Sequence, residues 1–441
     1  MKRFKKLFSK RRPTPRHESP SPKPAVSAES LCLSKLEQLP FEIRNEIFLA
    51  VDTIEDLRAL VHASPTFHQQ YRLNRASWLW HCLQQEMGDV LIDACTADLC
   101  NLPEFRLKRP RQKILQFIDE YKQQRSTVTE TLSEQPPLED VICITSFHLY
   151  IVRPLLQQFI TWTRTNLEGL SVPDQLSRTE QRRIMRGLYR FQIYCNLFGG
   201  VRSDWQRTRD ELLTSQERLD LFLAEYEPWE IEEVICINLF ADTKYRSVFD
   251  EVQWDLHPDN PSFDPVRTDP FTPPGAYHLR NSMFSDWYRD GMVSLGLPIL
   301  SAIFKIQDHS ELVETIAQNV VSKVHDWIYE TTEPSRQDDR REHRYSDRDR
   351  AQDSRQKMIF NGDRDDSPPL AWVTIWQELY SNIYSNYIPE PLHKWGYIMW
   401  DAGRLVDSGA MAILDREWKT KYGGLDGRET EDPRDFIIEY Q

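Results

Sequence analysis

Residues 36–83 read LEQLPFEIRNEIFLAVDTIEDLRALVHASPTFHQQYRLNRASWLWHCL, and this stretch decides the N-terminal fold. Pro40 suits the first position of a helix, because the amide hydrogen that proline lacks would have no partner there. Thr53 is followed three residues later by an aspartate, a spacing typical of a helix N-terminus. Ser64 and Pro65 open another helix in a similar way. The stretch therefore predicts three short helices.

Apolar side chains recur along these helices at the three- and four-residue spacing of one helical face. In the first two helices they are Leu36, Leu39, Ile43, Ile47, Ile54, Leu57, Leu60 and Val61. Three helices in about 40 residues enclose too little interior to bury so many large side chains among themselves. Part of this apolar surface must therefore face either the rest of the chain or another protein.

The same residues resemble an F-box. The similarity lies in the opening Leu39-Pro40-x-Glu42-Ile43, in the second helix and in the later Trp78-Leu79-Trp80. The start of the third helix, Ser-Pro-x-Phe-His, departs from the commoner Cys-Lys-x-Trp-like element and is similar to F-box-like proteins of filamentous fungi. The resemblance implies that this segment binds a Skp-type adaptor of an SCF-type (cullin–RING) ubiquitin ligase, while the rest of the chain binds a protein substrate. The residues that it implies for adaptor binding are Leu39, Pro40, Ile43, Ile47, Leu57, Leu60 and Val61.

Two other classes of function stay open. One is a helical scaffold in which the F-box-like unit is only structural, and the other is an enzyme with a helical active site. The sequence contains no phosphate-binding loop, dinucleotide fingerprint, zinc-protease motif or nucleophile elbow. His62 and His68 have no carboxylate at ligand spacing, and no cysteines form a C-x-x-C pair. We therefore expect no catalytic residue, no cofactor and no metal site.

Composition predicts a mainly α fold, because glycines are few (15 in 441 residues) and aromatic residues are plentiful. Ser177 and Thr214 each stand three residues before a glutamate, which predicts two capping boxes in the body. The predicted order is a disordered basic and Pro/Ser-rich tail, a three-helix F-box-like domain, a helical body, a disordered charged insertion and a C-terminal helical part that packs back on the body. These segments are residues 1–33, 34–83, 84–332, 333–369 and 370–441.

Charge and cysteine usage predict where the chain works. Nine Lys or Arg and one Glu give residues 1–25 a charge of +8. The net charge of the whole chain is −13, so residues 26–441 carry a charge of −21. Such an acidic body disfavours nucleic-acid binding outside the tail. The tail itself fits a nuclear import signal, an anionic membrane surface or a solvated segment. We expect no transmembrane segment and no signal peptide, and the seven cysteines fit reduced thiols in the cytoplasm or nucleus.

An aromatic-rich pattern marks the C-terminal part. Six apolar residues between Trp372 and Tyr387 lie at helical spacing, which predicts one helix that ends before Pro389. Together with Trp395 and Trp400 these aromatic side chains fit a packed core, and the other interpretation is a ligand or peptide pocket. His393 lies close to this pattern, but the sequence shows no nucleophile for it to activate.

Overall fold

The fold was analysed in a computed structural model, which describes residues 34–102, 110–166, 175–200, 212–268, 271–280, 284–322, 326–344, 350, 357–423 and 431–435. These residues form 21 α-helices and no β-strand, apart from an isolated bridge between Thr268 and Phe271. The prediction of a mainly α fold is therefore confirmed. The predicted tail, residues 1–33, lies outside the described residues.

The chain divides into two compact units, Met1–Glu86 and Met87–Gln441. The described part of the first unit contains the helices α1 (Phe41–Leu49), α2 (Ile54–Ala63), α3 (Pro65–Leu73) and α4 (Arg75–Met87). The three predicted helices are present, and α4 adds a fourth that carries the Trp78-Leu79-Trp80 sequence.

The N-terminal caps of the first unit are mostly those that the sequence predicts. The Thr53 hydroxyl accepts the amide hydrogen of Asp56, and the Ser64 hydroxyl accepts those of Thr66 and Phe67. Pro40 differs, because it is the extended residue that precedes α1 and not the first residue inside the helix.

Among its described residues the second unit contains helices joined by short π- and 3-10 turns and by irregular segments, with the isolated bridge between Thr268 and Phe271. Its helices are α5 (Val90–Leu99), α6 (Arg111–Ser126), α7 (Val128–Ser133), α8 (Leu138–Phe147), α9 (Arg153–Thr165), α10 (Arg178–Phe198), α11 (Ser215–Leu221), α12 (Pro228–Val252), α13 (Ser285–Val293), α14 (Leu297–Lys305), α15 (His309–Asn319), α16 (Ile328–Thr331), α17 (Pro334–His343), α18 (Leu370–Ile375), α19 (Glu390–Trp395), α20 (Ala402–Asp407) and α21 (Ala410–Tyr422).

Two long helices, α10 and α12, pack against each other at the centre of the second unit. Gly187 of α10 allows this approach, because a Cβ atom there would lie 3.0 Å from the carbonyl oxygen of Glu233. Both predicted capping boxes are confirmed, and the box of Ser177 and Glu180 fixes the start of α10. The two helices therefore begin and pack as local sequence dictates.

An ionic network crosses the contact between α10 and α12. Arg190 lies 3.0 Å from Asp93 of α5 through Nε and 3.0 Å from Glu230 of α12 through Nη1. Arg186 donates to Glu233 over 2.7 Å and lies 3.3 Å from Glu230. Burial alone would raise the pKa of Glu230, but Arg190, Arg186 and Arg125 outweigh it and hold that pKa well below its usual range. The network is therefore made of charged groups that neutralise one another away from water.

The structure corrects the first part of the predicted disordered insertion at residues 333–369, of which residues 345–349 and 351–356 lie outside the described residues. This first part forms the helix α17, in which Gln337 and Arg340 are buried. Gln337 donates to the carbonyl oxygens of Thr332 and Tyr384 and accepts the amide hydrogen of Tyr384. The prediction of disorder there was wrong because a charged sequence with few apolar residues can still be held by hydrogen bonds to a distant segment.

The single helix predicted between Trp372 and Tyr387 is also wrong. Helix α18 ends at Ile375, and Gln377 and Glu378 adopt left-handed backbone conformations that break the helical path. The C-terminal part contacts α12, since Glu232 makes hydrogen bonds with Ser385, His393 and Tyr397.

Candidate functional site

The segment before α1, together with α1 itself, presents apolar side chains to solvent. This surface, which we call the first-helix face, consists of Leu36, Leu39, Pro40, Ile43 and Ile47. Leu36 is 56% exposed and Ile43 is 47% exposed, Pro40 is also exposed, and Leu39 and Ile47 are half-buried. Large apolar side chains at such exposure are common singly, whereas several of them within one short segment mark a surface that is suited to binding another protein.

The opposite side of α1 holds the helix in the unit. Phe48 is 1% exposed and stacks on Trp78, with ring centroids 4.8 Å apart. Its ring also meets the ring of Phe67 edge-on at 5.7 Å. Phe48 therefore supplies the buried anchor of α1, whereas Leu36, Pro40 and Ile43 stay exposed.

Polar contacts fix how α1 meets α3. The Arg44 guanidinium donates to the Gln70 side chain over 2.7 Å and to the backbone oxygens of Glu37 and Leu39. The Ser64 hydroxyl donates to Glu37 over 2.6 Å, and this bond is the largest cause that lowers the pKa of Glu37. The unusual start of the third helix is thus a cap that is tied to the segment before α1.

The predicted adaptor-binding residues of α2 are less accessible than those of α1. Leu57 is 2% exposed, whereas Leu60 and Val61 are half-buried. Leu57 follows Ile54 by three residues, and both side chains belong to the buried face of α2. Leu57 is therefore a core residue of this chain, which corrects its expected place on the partner-binding surface.

Sequence reasoning missed a polar cavity in the second unit, which we call the Glu232 cavity. Its volume is about 350 Å³. Its wall is formed by residues of α12, α13, α16, α19 and α21 and of the segments between helices: Leu239, Asp242, Arg246, Arg289, Asp290, Tyr329, Ser385, Asn386, Ile388, Glu390, His393 and Lys421. The wall brings together segments that lie up to about 180 residues apart in the chain.

The cavity lies beside a fully buried carboxylate, Glu232 of α12. One oxygen of Glu232 is 2.6 Å from Nε2 of His393 and accepts the Tyr397 hydroxyl over 3.0 Å. The other oxygen accepts the amide hydrogen of Ser385. Because every one of these donors is buried, the carboxylate is held in one orientation.

Backbone strain occurs at the wall of the cavity. Ser385 has a φ of 59°, in the left-handed region that residues other than glycine rarely adopt. Its amide hydrogen is held by Glu232, and its hydroxyl accepts a hydrogen bond of 2.7 Å from Thr332. Strain that surrounding contacts maintain in this way is typical of binding and catalytic sites.

A helical pattern is the signal in the sequence that could have indicated this cavity. Glu232, Leu239, Asp242 and Arg246 follow one another at intervals of seven, three and four, which places them on one face of α12. Glu232 and Asp242 are buried on this face, and buried carboxylates are unusual. What the pattern does not contain is His393, which is 161 residues from Glu232 in the chain.

The aromatic residues of the C-terminal part form core, not a pocket. Trp372, Trp376 and Trp400 are all fully buried, and the rings of Trp372 and Trp376 pack with centroids 5.6 Å apart. Within the described ranges, no group of three or more His, Cys, Asp and Glu side chains is placed to hold a metal ion.

No helix in the described part of the chain is both long enough and apolar enough to cross a membrane. The comparisons of this chain with protein-family models, with curated proteins and with solved structures found no match.

Proposed function

We propose that this chain is a protein-interaction subunit that serves as the substrate receptor of an SCF-type cullin–RING ubiquitin ligase. The observation that carries the proposal is the exposure of the first-helix face at Pro40 and Ile43. These two residues belong to the part of the sequence that resembles an F-box most closely. The proposed occupant of the face is a Skp-type adaptor.

The energetics of this face suit a protein partner. Fully burying one isoleucine side chain contributes about 1.5–3 kcal/mol, so covering Ile43 and Leu36 supplies a central part of a docking energy. Phe48, on the opposite side of α1, keeps the helix in place before a partner arrives. A partner therefore meets a preformed helix, and little conformational entropy is lost on binding.

The proposed mechanism is proximity. The first unit binds the adaptor, while the second unit, including residues 370–441, binds a protein target. Holding the target beside the ligase raises its effective concentration there, so this chain performs no bond chemistry itself.

A helical scaffold is the second candidate function, and the burial of Leu57 favours it. In a scaffold the apolar residues of α2 serve the interior of the chain, as Leu57 does at 2% exposure. Leu60 and Val61 are half-buried, and this degree of exposure is compatible with either candidate function. Only binding measurements separate a receptor from a scaffold.

The experiment is co-purification of the full chain with a recombinant fungal Skp-type adaptor. Ile43→Asp places a charge on the first-helix face, and Leu39→Asp together with Ile43→Asp places two. Leu73→Asp is the matched control, because Leu73 is an apolar residue of α3 that is 70% exposed and lies outside the face. We expect retention of the wild type and of the control, and at least about ten-fold weaker retention of both face variants.

Circular dichroism separates loss of binding from loss of fold, and Ile43→Asp should leave the helical signal unchanged because its side chain is half in solvent. The receptor proposal is wrong if the wild type is not retained, or if the double variant binds as well as the control. The second of these results would leave the scaffold as the better description of the first unit.

A further inference from the structure

We infer that the Glu232 cavity binds a small zwitterion, of which a free α-amino acid is the simplest kind. This inference does not depend on adaptor binding, because the cavity lies wholly within the second unit. At about 350 Å³ the cavity is at the small end of ligand sites, whose volumes are about 300–1,000 Å³. A small molecule fits it better than a folded segment of another protein.

The charges of the wall select the class of ligand. The wall carries three carboxylates and three cationic side chains: Asp242, Asp290, Glu390, Arg246, Arg289 and Lys421. Asp242 pairs with both Arg246 and Arg289 inside the wall, so the wall has no large excess of either sign that would favour a ligand with one net charge. A molecule that carries both an ammonium and a carboxylate meets opposite charges at both of its ends.

The cationic side of the site is formed by Arg246 and Lys421. Arg246 makes one described hydrogen bond, of 3.2 Å to Asp242, so most of its five donors face outward from a side chain that is 62% exposed. The Lys421 ammonium is oriented by the backbone oxygens of Asn386 and Ile388. These two side chains are the proposed partners of the ligand's carboxylate.

The acidic side of the site is formed by Asp290 and Glu390. His393 lies in the same wall, and its Nε2 is 2.6 Å from Glu232, which holds the ring in one orientation. Glu390 also pairs with Lys394 over 2.7 Å, and its side chain is 64% exposed. The two wall carboxylates are the proposed partners of the ligand's ammonium.

The site is built before a ligand enters. Glu232 fixes His393 and Tyr397, and Ser385 is held in its strained conformation by Glu232 and Thr332. Groups that are already oriented lose little entropy when a ligand binds. This preorganisation distinguishes the cavity from an irregular gap between helices.

The test is isothermal titration calorimetry of the full chain with each standard amino acid in turn. We expect at least one of them to bind with a dissociation constant below about 1 mM. The N-acetylated and the amidated forms of the best ligand each lack one of its two charges, so each should bind at least about ten-fold more weakly.

Variants test the assignment of residues. Arg246→Met is the first, because a side chain that is 62% exposed can be changed without loss of fold, and Lys421→Met is the second. Lys419→Met is the matched control on α21, because Lys419 is 67% exposed and lies outside the cavity wall. We expect weaker binding of the best ligand in the first two variants and wild-type binding in the control.

Three results would overturn the inference. One is that no amino acid binds, and another is that the acetylated or amidated form binds as tightly as the parent. The third is that Arg246→Met binds like Lys419→Met. If Lys421→Met does not fold, which circular dichroism reports, Arg246→Met and the two modified ligands still decide the question.

Discussion

Replacing Arg190 with methionine should destabilise the second unit by about 3–5 kcal/mol. The side chain is 4% exposed, and its guanidinium lies 3.0 Å from the carboxylates of both Asp93 and Glu230. Methionine would fill most of the space but leave two buried carboxylates without this cation, and breaking a buried ion pair on one side typically costs about 3–5 kcal/mol. In this variant Asp93 would still accept the Tyr121 hydroxyl over 2.5 Å, and Glu230 would still pair with Arg186. Because neither carboxylate would be left without any partner, we expect a loss at the lower end of this range.

The assay is urea unfolding of the full chain, followed by far-ultraviolet circular dichroism. Lys419→Met is the control, since its pair with Asp415 is exposed and should contribute less than about 0.5 kcal/mol. A double-mutant cycle with Asp93→Asn should give a coupling energy of about 1–3 kcal/mol with Arg190→Met. A loss below about 1 kcal/mol for Arg190→Met, or additivity in the cycle, would refute the reasoning.

Three further predictions concern the first unit and the cavity. Phe48→Ala should lower the free energy of unfolding in urea by about 3–5 kcal/mol, because Phe48 is 1% exposed. Ile43→Ala should change this free energy by less than about 1 kcal/mol. Equal losses for the two variants would show that the first-helix face is structural. Ser385→Val should lower the melting temperature more than Ser385→Gly, because only glycine adopts a φ of 59° without strain; the reverse order would contradict the strained conformation. Burial lowers the pKa of Lys421 to about 8 from 10.5, so between these pH values the unfolded chain holds a proton that the folded chain has lost. The unfolding free energy of the wild type relative to Lys421→Met should therefore rise across this window, by at most about 3 kcal/mol, and a flat difference would contradict the burial of the ammonium.

Local signals explain which parts of the fold could be predicted. Ser177 and Thr214 cap helices because a hydroxyl and a glutamate three residues apart satisfy the first amide groups of a helix wherever they stand. Ile43 is predicted on the apolar face of the first helix for the same kind of local reason, and it is exposed. Whether that surface binds an adaptor stays a prediction.

Long-range contacts explain what the sequence did not reveal. Gln337 is ordered by Tyr384, which is 47 residues away, so composition alone predicted disorder for its helix. The helical pattern after Trp372 fails at Gln377 because apolar spacing does not encode a left-handed turn. His393 looked like an isolated histidine, since its partner Glu232 is 161 residues earlier in the chain. Only the tertiary fold brings these groups together.

The separation of Glu232 from its three donors has a consequence for protein synthesis. These donors belong to residues that are 153, 161 and 165 positions later in the chain. At about 5–20 residues per second, a ribosome needs roughly 8–30 s to add this length. Throughout that interval α12 carries a carboxylate that cannot enter the interior without a large cost. Glu232 of α12 should therefore stay solvated until the C-terminal residues have been synthesised. A nascent chain released before that point would leave this helix accessible to chaperones and proteases.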